Sequence, residues 1–175
     1  MPFAPLSYEH DMSQSFNRDP GRKSLPHLPP LHYQNQSIIL FLTVCTKDRQ
    51  LLLNNPGIHY LLRENWIKAD TWLVGRYVLM PDHIHLFCAP TTFPEHNIQS
   101  WVRYWKSMVS RDWPFVNAKP IWQKGFVDRQ LRNQESYHEK WNYVLENPVR
   151  AGLVSHPKDW PYQGELNVLR WHEPK

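Results

Sequence analysis

The order of hydrophobic periods along this chain predicts an α+β sandwich: an antiparallel sheet with helices on one face and the other face open to a ligand. Three observations predict it. Apolar segments follow the order strand, helix, strand, strand, helix, strand. The length, 175 residues of which 41% are hydrophobic, provides for one core of ordinary domain size. The periodic segments are confined to residues 37–162, which leaves 1–36 as an extended, proline-rich arm and 163–175 as a C-terminal tail.

The arm contains Pro26, Pro29 and Pro30, and its charges cancel, yet Arg22 and Lys23 give it two adjacent cations. A proline-restricted segment loses less entropy on ordering, so this part of the arm is expected to lie along a partner. Ser37 to Thr46 is a β-branched and aliphatic run without Gly or Pro, and predicts the first strand. Asn54-Asn55-Pro56 then starts a helix whose apolar face is Ile58, Leu61, Leu62, Trp66 and Ile67. Trp72 to Met80 and His83 to Ala89 read as two strands joined by a tight turn at Pro81-Asp82. From Glu95 to Asp112 helical spacing resumes, with Ile98, Trp101, Val102, Trp105 and Met108 on one side. A short strand is expected over Ile121 to Val127, and a third helix over Glu135 to Asn147, ended by Pro148. This succession is that of ferredoxin-like and RNA-recognition-like sandwiches.

Composition narrows the function classes. Two cysteines, Cys45 and Cys88, exclude a four-thiolate zinc site and argue against a disulfide-built secreted scaffold. No apolar run has the length of a membrane span, and the first ten residues lack a basic flank followed by an apolar block, so a cytoplasmic protein with no membrane partner is expected. A net charge of +4, with nine Trp and eight Tyr, favours a polyanion as partner. The charge is placed unevenly. Arg103, Lys106, Arg111, Lys119, Lys124, Arg129 and Arg132 stand against only Asp112 and Asp128, interleaved with Trp101, Tyr104, Trp105, Trp113 and Trp122. Cations for phosphates beside flat rings for unstacked bases are what single-strand binding requires.

Two constellations carry candidate chemistry. On a strand, His83 and His85 share a face while Ile84 and Leu86 point to the helices, so two imidazoles converge as two corners of a metal shell. Tyr143 and Asn147, four residues apart, share one helix face, which would place a nucleophilic phenol beside an amide oxygen able to join the same ion. Read without the metal, Tyr143 is an apolar-face residue and Asn147 an ordinary helix-terminal Asn before Pro148.

Taken together, Tyr77-Val-Leu-Met-Pro-Asp-His-Ile-His-Leu86, Ile121-Trp-Gln-Lys-Gly-Phe126 and Tyr143-Val-Leu-Glu-Asn-Pro-Val-Arg-Ala-Gly-Leu-Val154 closely resemble the REP-associated tyrosine transposases, a branch of the single-tyrosine HUH transposases. The resemblance spans roughly Ile38 to Tyr162. It implies a strand-transfer enzyme, monomeric or homodimeric, that binds single-stranded DNA hairpins and cleaves and rejoins them through a 5′-phosphotyrosine with Mg²⁺ or Mn²⁺. Matched residue by residue, His83 and His85 fall on the HUH histidines of a central strand, Tyr143 on the nucleophile, and Asn147 on the polar position completing the metal shell. DNA contacts are expected from Arg103, Lys106, Lys124, Arg129 and Arg132, from Trp122 and Gln123, and from Arg22 and Lys23 on the arm. Asp82 stands where the family often has Asn or Glu, a position that is not a ligand. The family's Gly-Thr-Trp-Tyr-like segment leading into the first strand is replaced here by Asn35-Gln36-Ser37-Ile38, so hairpin-guide recognition is expected to differ. The alternative from another class is a non-catalytic single-stranded hairpin-binding module.

Overall fold

The protein was analysed as a computed structural model, which describes residues 38–92 and 95–171. The expected arm over 1–36, with Arg22 and Lys23, lies outside the described residues. Five strands form one antiparallel sheet in the order β4-β1-β3-β2-β5, where β1 is Leu40–Cys45, β2 Trp72–Met80, β3 His83–Pro90, β4 Val127–Gln130 and β5 Gln163–Glu165. The first four strands have the ferredoxin-like order, with β3 at the centre of the sheet. The helices are α1 (Pro56–Lys68), α2 (Ile98–Arg111), α3 (Gln134–Leu145) and the one-turn α4 (Asn147–Arg150). Each of the three long helices begins on an asparagine whose side chain accepts backbone N–H groups: Asn55 from Gly57 and Ile58, Asn97 from Ser100, and Asn133 from Ser136. Pro56 follows its cap at the first helical position, where the missing N–H costs nothing.

Alternation along the strands divides the sheet into two apolar faces. Leu40, Leu42 and Val44 of β1 align with Cys88, Leu86 and Ile84 of β3 and bury against α1 and α2 through Ile58, Leu62, Trp66, Trp101, Val102 and Trp105. Between Val74 and Tyr77 the register of β2 shifts, so Trp72 and Val74 before the bulge and Tyr77 and Leu79 after it serve the same core. Ile39, Phe41, Val78, Met80 and Phe87 point to the opposite face and form a second cluster with Tyr137 and Val144 of α3, Leu131 and Trp160.

The structure departs from expectation in four places. Helices occupy both faces: α1 and α2 cover one, and α3 lies on the other, with Tyr137 packed edge-on against Phe87 at 4.8 Å. The reason is that Phe41, Val78 and Phe87 make the second face too apolar to leave wet. The expected strand over 121–127 is a loop joined to the sheet by one Thr46–Trp122 bridge, and the strand proper is β4. Ile121 and Trp122 instead pack against the α1/α2 core, and Gly125 turns the chain at φ +73°. Ile67, placed by spacing on the inner face of α1, is 59% exposed, its place taken by Asn65 and Trp66. The sheet also runs past residue 162, since Gln163–Glu165 pairs with Val78, Tyr77 and Arg76 as edge strand β5.

Gly164 on that edge passes over the fully buried Tyr77 so closely that a Cβ would lie 2.7 Å from the phenol oxygen. Tyr77 is held there by His59, whose Nε2 is 2.8 Å from the hydroxyl. Gly164→Ala is therefore expected to lower the unfolding free energy by about 1–3 kcal/mol in urea titration. The penalty should shrink in a Tyr77→Phe background, which removes the clashing oxygen.

Candidate functional site

The centre of the sheet presents two imidazoles. His83 and His85 of β3 face away from the α1/α2 core, opposite Cys45 and Thr43 of β1 and Met80 and Val78 of β2. Their Nε2 atoms are 3.1 Å apart, and the ring planes are nearly perpendicular at 82°. Two imidazole nitrogens bound to one ion at about 2.1 Å, in adjacent positions, would be separated by roughly this distance. Each ring is anchored through its other nitrogen: His83 Nδ1 lies 2.6 Å from Asp82 Oδ1, and His85 Nδ1 lies 3.0 Å from Thr43 Oγ1. Both Nε2 atoms are thus turned toward each other, with outer partners of the kind that orient metal-ligating histidines.

Electrostatics keep the deeper ring a lone-pair donor. His85 is held well below the ordinary imidazole range by burial, and further by the charges of His83, Lys140 and Arg49, with Asp82 opposing. Phe41 stacks on it at 5.3 Å. Burial opposes ionisation of Asp82, but the His83 hydrogen bond and the charges of His83 and Arg49 prevail and hold its carboxyl below the usual range. Among the described residues, no group of three or more His, Cys, Asp and Glu side chains is placed to hold a metal. The two imidazoles fit an ion, and its remaining donors would be of other types, as the amide of Asn147 is.

Tyr143 and Asn147 are brought together on the same side of the sheet by Arg150 of α4. The Arg150 guanidinium lies 4.2 Å from the centre of the Tyr143 ring, and it donates to the Tyr143 carbonyl and to Asn147 Oδ1. α3 ends at Leu145, before Pro148 as expected, and Pro148 sits in the first turn of the separate one-turn α4, a position where proline is tolerated. Tyr143 is 55% exposed, so its phenol is open to a substrate. Among the described residues no direct contact joins the two pairs. What lies between them is Lys140, whose Nζ is 4.7 Å from the Phe41 ring and 5.2 Å from the Tyr143 ring. His85, Phe41, Lys140 and Tyr143 thus succeed one another along the second face.

An open groove of about 320 Å³ runs beside Tyr143, lined by Arg129, Arg132 and Lys140 with Ser136 and Glu139. Arg129 and Arg132 are exposed, as are Arg103 and Lys124. Lys106 is placed differently. Its Nζ donates to the carbonyls of Gln123 and Gly125, and burial lowers its pKa to about 8. Trp122 donates from its indole to the Lys106 carbonyl and meets Trp105 and Trp113 edge-on, so this ring is part of the packing between α2 and the loop. Gln123 donates its backbone N–H to Cys45. Sequence reasoning missed Thr43, Arg49, Lys140 and Arg150. The only available signals were Lys140, one turn before Tyr143, and Arg150, three residues after Asn147.

No protein-family model matches the chain. Among curated proteins, a REP-associated tyrosine transposase of Escherichia coli is 28% identical over 125 residues, covering 70% of this chain and 73% of the relative. A putative REP-associated tyrosine transposase of Haemophilus influenzae is 30% identical over 97 residues, 48% of this chain and 53% of its own. A solved REP-associated tyrosine transposase bound to a REP hairpin superposes with a TM-score of 0.63 at 25% identity, covering 77% of this chain and 80% of the other. The chain is homologous, at moderate identity and coverage, to the REP-associated tyrosine transposase superfamily.

The depressed pKa of His85 has a thermodynamic sign. The unfolded ring takes a proton near pH 6.5 and the folded ring only well below it, so the His85 contribution to stability is complete above about pH 6.5 and is lost as pH falls toward the folded value. A ring-carbon NMR titration should find His85 neutral at the pH where exposed histidines are half protonated. The urea midpoint should fall on acidification through that window, and His85→Asn should remove this part of the pH dependence.

Proposed function

We propose that this chain is a metal-dependent DNA strand-transfer enzyme that binds single-stranded DNA hairpins of the REP kind and cleaves and rejoins them through a 5′-phosphotyrosine. Homology points to DNA processing in general. The observation that carries the finer reading is the 3.1 Å approach of two outer-anchored imidazole Nε2 atoms on the sheet face where an exposed Tyr143 borders a cationic groove.

A divalent ion, Mg²⁺ or Mn²⁺, held by His83, His85 and Asn147, would polarise the scissile phosphate and neutralise charge developing on its oxygens. The chain's own groups do the rest. Arg129, Arg132 and Lys140 draw the phosphate backbone into the groove, and exposed Arg103 and Lys124 extend the positive surface. Helix α3 fixes the approach of the Tyr143 phenol, and Arg150 braces its ring from below. The phenol oxygen attacks phosphorus and loses its proton; the bond to the 3′ oxygen breaks, and that oxygen leaves as a hydroxyl. The resulting phosphotyrosine conserves the phosphodiester's free energy, so attack by another 3′-hydroxyl reverses the step and joins a new strand. Arg150 donates to the Asn147 oxygen in this structure, so that oxygen would serve the ion only if released from the guanidinium.

The deciding experiment incubates the protein with Mn²⁺ and a 3′-labelled hairpin oligonucleotide and looks for a covalent, denaturation-resistant adduct. Tyr143→Phe is expected to bind the hairpin with unchanged affinity and to form no adduct. The double variant His83→Ala, His85→Ala should cleave nothing in Mn²⁺. A non-catalytic hairpin-binding module would instead give chelator-indifferent binding with no adduct from the wild type, and a nuclease using water would cleave without one. Arg129→Ala and Arg132→Ala should each reduce the log–log salt dependence of hairpin binding by about 0.7. Lys106→Ala, by contrast, should act on the thermal midpoint and leave the salt slope nearly unchanged.

A further inference from the structure

We infer that Asp82, pinned by Arg49 and Thr46, is the positioning residue of the imidazole pair: it fixes His83 as the tautomer protonated on Nδ1, leaving the Nε2 lone pair directed at His85 Nε2. The inference rests on the metal reading above for its purpose, but its geometry stands independently.

An ionised carboxylate only accepts hydrogen bonds, so the nitrogen of His83 that meets Asp82 Oδ1 at 2.6 Å must carry the proton. Arg49 Nη2 also reaches this Nδ1 and, as a donor, would favour a bare nitrogen, but at 3.5 Å its contact is far longer and weaker than the 2.6 Å contact to Asp82, which prevails. Thr43 imposes no such choice on His85, because a hydroxyl both donates and accepts. His85 can therefore hold its proton on Nε2, donating to His83, or move it to Nδ1 when an ion takes the space between the rings. One imidazole is fixed and the other is adaptable.

Asp82 is held more firmly than a turn residue requires. Its second oxygen, Oδ2, takes the Arg49 Nε at 2.7 Å, and its backbone carbonyl accepts both the N–H and the hydroxyl of the fully buried Thr46, at 3.0 and 2.9 Å. The neighbouring Pro81 carbonyl accepts the N–H groups of Leu52 and Leu53. The turn after β1 reaches this arrangement through two consecutive non-glycine residues in the left-handed region, Asp48 at φ 53° and Arg49 at φ 58°. Such backbone is unfavourable for residues bearing a Cβ and persists where the surroundings hold it. Here it folds the Arg49 side chain back over Cys45, whose sulfur accepts from Nη1 at 2.9 Å, and onto Asp82.

The test is ¹⁵N-edited NMR of the imidazole rings in the metal-free full chain, at a pH where both rings are neutral, followed by Mn²⁺ titration of the same samples. Wild-type His83 should show protonated Nδ1 and bare Nε2. Asp82→Ala should move the proton toward Nε2 and weaken Mn²⁺ binding 10- to 100-fold. Asp82→Asn, which keeps an accepting oxygen, should restore most of both. Arg49→Ala, which leaves Asp82 in place but unbraced, should weaken Mn²⁺ binding by a smaller factor, and it serves if Asp82→Ala fails to fold. A His83 ring protonated on Nε2 in the wild type, or an Asp82→Ala protein with unchanged tautomer and affinity, would overturn the inference. A wild type with the expected tautomer but no Mn²⁺ binding would support the inference and overturn the metal reading instead.

Discussion

The arrangement depends on the register of one strand. β3 lies at the centre of the sheet, hydrogen-bonded to β1 on one side and β2 on the other, and it is covered on both faces. Ile84, Leu86 and Cys88 must enter the α1/α2 core, and this forces His83, His85 and Phe87 onto the opposite face. A slip of one residue would drive two imidazoles into a tryptophan-rich interior, so the hydrophobic demand of one face sets the polar geometry of the other.

That second face combines imidazoles with fixed cations. Burial, with the charges of Lys140 and Arg49 added, discourages protonation of His85, while Lys140 and Arg129 give the Tyr143 groove a positive lining that favours an anion. Lone-pair donors and anion-attracting charge therefore reinforce each other. The same field explains why Asp82 is the carboxylate closest to the pair and why it is doubly paired, since an unpaired anion there would cancel the attraction.

Much of this was readable from the sequence where the signal is local. The alternation Ile84, His85, Leu86 placed the histidines on one face of a strand without reference to anything distant, and Asn55-Pro56 marked a helix start by its own capping chemistry. Contacts between segments were not readable. The period of α3 shows that it has an apolar side but not which layer receives it, and only the apolar content of Phe41, Val78 and Phe87, seen together, decides for the second face. Arg49 reaches Asp82 across 33 positions of sequence through a left-handed turn that no residue preference announces. Ile121 to Phe126 had the composition of a strand, yet its apolar residues were needed as a plug against α2, and the pairing moved to Val127–Gln130.

The division of the interior into two separate apolar clusters has a mechanical consequence. The larger one binds α1 and α2 to the sheet, whereas α3 rests on the smaller one, chiefly through Tyr137 and Val144. α3 is therefore held by fewer buried apolar side chains than α1 and α2, whereas β3 is paired on both edges and packed under the larger cluster. The smaller cluster beneath α3 thus gives that helix a lower expected free energy of local opening than the central strand β3 has.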